Sequence, residues 1–192
     1  MRVINISDLQ SNTLMLLHDA YKGLSYWNNF MTGGENAWSG VAMDTHIYQM
    51  FSNGEVSRSD DEHISVACSQ GGALSSFHLW VIVGEWTPAA TDCAKYLNGR
   101  GRGARFDGSS AGSSWIGTCS AKTGSGANFS PDYKVFLRKY WEAQTTAFEK
   151  AAGWVQWTWK AEQADDWSYQ AGLKYGWIPQ NPTDRQYPGI CG

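Results

Sequence analysis

The stretch FHLWVIVGEWTP, residues 77–88, decides how the chain is read. Leu79, Trp80, Val81, Ile82 and Val83 run without a polar break, the pattern of a strand covered on both faces in a parallel sheet. Gly84 interrupts the run, Glu85 places a carboxylate at its end, and Trp86 and Pro88 follow. A carboxylate there is costly to bury unless it is paired. Glu85 is therefore either a paired structural group or a functional one, and the residue alone leaves the two in balance.

Three other segments share this design: TLMLLHDA (13–20), GVAMDTHIYQMF (40–51) and GWVQWTWK (153–160). Each is of strand length and is bounded by turn residues. Helical patterns separate them. SDDEHISVACSQGG opens on capping residues and acids and closes on Gly71-Gly72. TPAATDCAKYLNG (87–99) reads as a helix ending at Gly99. SPDYKVFLRKYWEAQTTAFEKAAG has Ser130 at the N-cap and Pro131 at the first helical position. Phe136, Tyr140, Ala143 or Gln144, Ala147 and Ala151 trace its apolar face, and Gly153 is the terminator. Strand, helix and strand in repetition predict an α/β fold with right-handed crossovers. Residues 98–129, rich in Gly and Ser, read as a long surface loop.

The 192 residues suit one domain with a sizeable core. A formal net charge of −3 with no basic stripe argues against a nucleic-acid partner. No apolar run approaches the ~20 residues that span a bilayer. The first residues, MRVINISDLQSNTLMLL, show no secretory leader. Eleven tryptophans fit a Trp-rich core or a set of flat platforms for sugar rings. The four cysteines, Cys68, Cys93, Cys119 and Cys191, form no metal motif. Their even number fits two disulfides in an oxidising compartment, or four buried thiols. Sequons at Asn5-Ile6-Ser7 and Asn128-Phe129-Ser130 are compatible with secretion.

Polar chemistry gathers where the strands end. His18-Asp19 closes the first, Asp44-Thr45-His46-Ile47-Tyr48 the second, Glu85-Trp86 the third and Trp157-Thr158-Trp159 the fourth. Alternate strand residues share a face, so Asp44, His46 and Tyr48 point together. Barrels of β/α units carry their sites at such C-terminal strand ends. The bland readings are a hydrogen-bonded core histidine at His46, a packing tyrosine at Tyr48 and an ordinary strand-to-loop junction at His18-Asp19.

These residues also resemble a known family. LSYWNNFM, DTHIYQMF, GEVSRSDDEHISVAC, VIVGEWTPAATDCAKYLNGRGRGARFDG and GWVQWTWKAEQADDWSYQAGLKYGWIPQNPTDRQYPGICG are similar to fungal exo-β-1,3-glucanases of glycoside hydrolase family 5. The resemblance runs over nearly the whole chain and implies a (β/α)8 TIM-type barrel and retaining hydrolysis of cell-wall glucan. It implies Glu85 as nucleophile, Tyr48 as its hydrogen-bond donor and His46 as a polar contact at the reacting sugar. Trp157 is the implied floor of the sugar site and Phe51 an aromatic clamp at its mouth, with Trp27 a further substrate contact. Cys93–Cys119 and Cys68–Cys191 are the implied disulfides. No metal or organic cofactor is implied, and the implied location is extracellular or the cell wall.

One departure shapes the expectation. In that family the general acid is the Glu of an Asn-Glu-Pro motif on the fourth barrel strand, and no Asn-Glu-Pro occurs here. Glu35, in TGGENAWSG, lies in a predicted loop with nothing to support it as a substitute. The four strands match the fifth to eighth of the barrel, so residues 1–192 read as the C-terminal half of a catalytic domain. A half-barrel has two open edges, which invite a partner half or a second copy. The competing function is a non-catalytic β-glucan-binding or scaffold fragment, with Glu85 a relic.

Overall fold

The computed structural model describes residues 13–33 and 40–192. Glu35 and the sequon at Asn5 lie outside the described residues. Four parallel strands, β1 (Met15–His18), β2 (Val41–His46), β3 (Trp80–Glu85) and β4 (Gly153–Trp154), lie in sequential order in one sheet. A one-turn helix, α1 (Asn53–Val56), precedes the long α2 (Asp60–Ser76). The helix α3 (Pro131–Phe148) leads into β4, and α4 (Tyr169–Tyr175) follows it. The protein is thus α/β with a parallel sheet.

Local signals place the long helices. Ser59 and Glu62 form a reciprocal capping box at the start of α2. Ser130 caps α3 ahead of Pro131. Two elements differ from the sequence expectation. The helix α2 runs through Gly71-Gly72 to Ser76, because Gly71 is a packing position. A Cβ there would lie 2.8 Å from Lys150 Cδ. Residues 87–99 form no helix. The buried Asp92 instead accepts from the backbone N–H groups of Arg105 and Phe106 and from Asn98 Nδ2, at 2.8, 3.1 and 2.9 Å. A side chain that satisfies several backbone donors of another segment outcompetes local helix formation.

Disulfides Cys93–Cys119 and Cys68–Cys191 are both present. The first closes the long loop, which holds two short 3₁₀ turns, and the second ties α2 to the C-terminus. Asn128, the second sequon residue, is exposed.

Strand alternation divides the sheet into two faces. Leu17, Met43, Val81, Val83 and Trp154 turn toward α2 and α3 and join Ala67, Leu74, Phe136, Leu137, Tyr140 and Trp141 in the main core. Here the sequence expectation needs correcting, since unbroken apolar runs predict strands covered on both faces. On the opposite face Leu16, Trp80 and Val155 are 46, 71 and 56% exposed. The apolar runs are real, but among the described residues the helices cover only one side of them.

Candidate active site

The second sheet face becomes polar at its C-terminal end. His18 and Asp44 are register partners on β1 and β2. His46 lies two residues beyond Asp44, on the same face. On β3, strict alternation would turn Glu85 toward the helices with Val81 and Val83. It does not, because the register slips there: Thr45 pairs with Val83, and His46 pairs with Glu85. Gly84 is the extra residue of this bulge, and bulges re-aim side chains. A Cβ at Gly84 would lie 1.9 Å from Asp44 Oδ1, so only glycine leaves room for that carboxylate. The interruption in WVIVGEW therefore turns Glu85 to the polar face, while Trp86 is wholly buried among the core residues.

Glu85 then meets two partners. The Tyr48 hydroxyl donates to Glu85 Oε2 at 2.8 Å. His46 Nδ1 lies 3.3 Å from the same oxygen, and His46 Nε2 lies 3.2 Å from Asp44 Oδ2. Burial first, and then the adjoining Glu85 carboxylate, raises the Tyr48 phenol well above its ordinary range. Tyr48 accordingly stays a hydrogen-bond donor at any physiological pH. The Glu85 side chain remains 29% exposed and opens into a cleft of about 860 Å³. Apolar and aromatic walls with a few convergent polar groups are the usual make-up of a small-ligand site.

The cleft gathers most of the residues singled out from the sequence. Glu85, Tyr48, His46, Phe51 and Trp157 all line it. Phe51 packs edge-on to Tyr48 with ring centroids 5.3 Å apart. Half of Trp157 is exposed, so a flat ring surface is available at the rim. Trp27 is not among the lining residues. Its indole N–H donates to Asp19 O at 2.9 Å and its ring packs on the core. Two aromatic lining residues escaped the sequence reading. Trp167 sits 5.9 Å from the Tyr48 ring, and Tyr21 sits 5.7 Å from His46. Both follow loops whose course no local pattern announces. Asp19 is a junction residue, as read. It is buried and ties the strand ends together, accepting from Thr45 Oγ1 at 2.7 Å and Tyr21 N at 2.9 Å.

The fourth strand explains the placement of Trp157. Only Gly153–Trp154 is regular strand. Beyond it Val155 N donates to Val83 O and Trp157 N to Trp86 O, at 2.9 and 2.8 Å. The chain thus stays alongside β3 until Trp157 reaches the cleft. The peptide bond that follows, Trp157–Thr158, is cis.

No family model matches the chain. Curated relatives do. A glucan 1,3-beta-glucosidase of Lachancea kluyveri is 44% identical over 191 residues, covering 97% of this chain and 43% of the relative. A probable glucan 1,3-beta-glucosidase A of Aspergillus niger is 45% identical over 193 residues, 97% of this chain and 44% of the relative. Glucan 1,3-beta-glucosidase I/II of Saccharomyces cerevisiae is 42% identical over 191 residues, 97% of this chain and 42% of the relative. The chain spans less than half the length of the curated relatives it matches.

Proposed function

We propose, for a chain homologous to part of the fungal glucan 1,3-β-glucosidases, that it carries the nucleophile half of a retaining exo-β-1,3-glucosidase. In this reading residues 1–192 form the last four β/α units of an eight-unit barrel. Glu85 attacks the anomeric carbon of a terminal glucosyl unit, the glycosidic bond breaks and the shortened glucan leaves with a proton from the acid. Water then hydrolyses the resulting glycosyl-enzyme ester to release glucose. Tyr48 keeps one carboxylate oxygen of Glu85 hydrogen-bonded, and His46 stands on the same oxygen. Trp157 and Phe51 offer rings to the apolar faces of sugars, and Trp27 acts only through the wall of the cleft.

The observation that carries the reading is the bulge at Gly84. It brings Glu85 beside Tyr48 in an aromatic cleft, at the strand end where such a nucleophile belongs. Retaining hydrolysis also needs a second carboxyl about 5–5.5 Å from the nucleophile. In the family that acid comes from an Asn-Glu-Pro motif, which this sequence does not contain. In this reading the acid belongs to the other half of the barrel, and full activity belongs to the completed site, outside the cell or in its wall.

The test isolates the nucleophile. The protein is incubated with a 2-fluoro-glucoside bearing a dinitrophenyl leaving group, which needs little acid assistance, and its intact mass is measured. The expected result is one added fluoroglucosyl unit, absent in Glu85→Gln. Folded protein that gains no mass overturns the reading, and a glucan-binding role indifferent to Glu85→Gln would replace it.

A further inference from the structure

The sequon Asn128-Phe129-Ser130 lies at the start of α3, and neither the fold nor the glycosidase reading uses its asparagine. Asn128 closes the 3₁₀ turn Gly126–Asn128, and its backbone N–H donates to Ser125 O at 3.0 Å. Asparagine at a turn ordinarily uses its side chain to satisfy a nearby backbone group. Here the flanking serines take that role. Ser125 Oγ accepts from Ala127 N at 3.4 Å, and Ser130 Oγ accepts from Tyr133 N at 3.1 Å. The Asn128 side chain is exposed and makes no hydrogen bond among the described residues.

Its neighbours fix which way it faces. Phe129 is buried, with its ring centroid 5.1 Å from that of Tyr133 and 5.6 Å from that of Trp177. Gly126 is pressed against the same wall, since a Cβ there would lie 2.6 Å from Trp177 and 2.7 Å from Tyr175. Both residues hold the turn by its inner side and leave Asn128 on the outer one. Asn128 does not line the cleft, so a bulky group there leaves the Glu85 site open. Both disulfides are formed, and no described cysteine is free. Such pairing belongs to an oxidising compartment, and sequons are modified in secreted proteins.

We infer that Asn128 carries an N-linked oligosaccharide, added before α3 docks. The donor is an oligosaccharide on a polyprenyl pyrophosphate. A bond forms between Asn128 Nδ2 and the anomeric carbon of the first N-acetylglucosamine. The bond from that carbon to the pyrophosphate oxygen breaks, the lipid pyrophosphate leaves, and the amide nitrogen gives up one proton to solvent. The timing follows from the fold. The transferase reads the Asn128 amide and the Ser130 hydroxyl together, on an open chain. In the folded protein that hydroxyl is engaged as the cap of α3, and Phe129 between the two is buried. Folding therefore closes the acceptor to the transferase and leaves a finished glycan in solvent. Cys119 lies just upstream, so closure of Cys93–Cys119 competes in time with transfer to Asn128. None of this rests on the glycosidase reading.

Cell-free synthesis of the full chain with sealed microsomes, behind a cleavable leader, is the test. Chain that survives added protease has crossed the membrane. Peptide mapping after enzymatic glycan removal, which turns an occupied asparagine into aspartate, reads Asn128 and Asn5 separately. One glycan is expected at Asn128. It should be lost completely in Asn128→Gln and in Ser130→Ala, and kept in Ser130→Thr, which retains both the hydroxyl and the helix cap. Reductant during synthesis should raise the occupied fraction, because Cys93–Cys119 then stays open. Protected chain whose Asn128 is unmodified, with reductant and without, overturns the inference. Occupancy indifferent to reductant overturns the competition with folding alone. Asn128→Gln should melt with the deglycosylated parent, and a lower melting temperature would assign the amide a structural role instead. Equal fluoroglucosyl labelling of glycosylated and stripped protein is expected, and failure of both to label refutes the glycosidase reading alone.

Discussion

A Cβ placed on Gly84 would lie 1.9 Å from Asp44 Oδ1 and 2.9 Å from Asp44 Cγ. No rotamer of alanine avoids this, so Gly84→Ala must push Asp44 or the bulge aside. The expected cost is about 1–3 kcal/mol of stability, as for other overpacked sites. Asp44→Ala removes the obstructing atoms. The double variant should therefore be more stable than the two single losses predict, and denaturant titration of all four proteins checks this. Asp166 gives a second prediction at this scale. Its burial raises the carboxyl to about 7, against the opposing effect of the Thr123 hydrogen bond. The native state then holds a proton that the unfolded chain releases near pH 3.8. By linkage, stability falls as pH rises from about 4 through 7, by on the order of a few kcal/mol. Asp166→Asn should flatten that fall in melting curves taken across this range.

At the scale of elements, α3 shows how little of a helix's role its apolar periodicity reveals. Phe136, Tyr140, Ala143, Gln144 and Ala147 are buried as the spacing predicts, but so are Arg138 and Glu142 on the other side. The C-terminal segment causes this. Arg138 pairs with Glu142 and donates to Asp184 O at 2.8 Å, while Glu142 accepts from the N–H groups of Gln186 and Tyr187, each at 2.8 Å. Glu142→Gln leaves the buried Arg138 without its counter-charge and should cost about 3–5 kcal/mol, measured by urea unfolding. The apolar pair Arg138→Met with Glu142→Leu should cost less, because no charge then stays buried alone. The same logic explains residues 87–99. A pattern compatible with a helix yielded to Asp92, whose partners lie beyond it in the chain.

At the scale of the whole molecule, the described residues place helices on one face of the parallel sheet only. Leu16, Trp80 and Val155 form an apolar band on the other, below the polar cluster. Bare apolar faces and unpaired strand edges drive association. The isolated chain should therefore self-associate with rising concentration, as read by sedimentation velocity. Trp80→Lys should shift it toward the monomer with little change in thermal stability, since Trp80 is already 71% exposed. An unchanged distribution would mean that this face is not the contact.

Much of this protein was legible in its residues. Apolar runs and caps located the strands and long helices, because strand burial and helix termini are local requirements. The polar strand ends marked Glu85, His46 and Tyr48, because alternation alone puts His46 and Tyr48 on one face. Tertiary structure decided the rest. Glu85 reaches that face only through a register slip between two strands far apart in sequence, and Gly84 is needed because of Asp44 on the neighbouring strand. Trp27 turns to the core and Trp167 to the cleft through contacts between loops and strands. Such outcomes depend on which distant segments meet, and a pattern read along one chain carries no term for that.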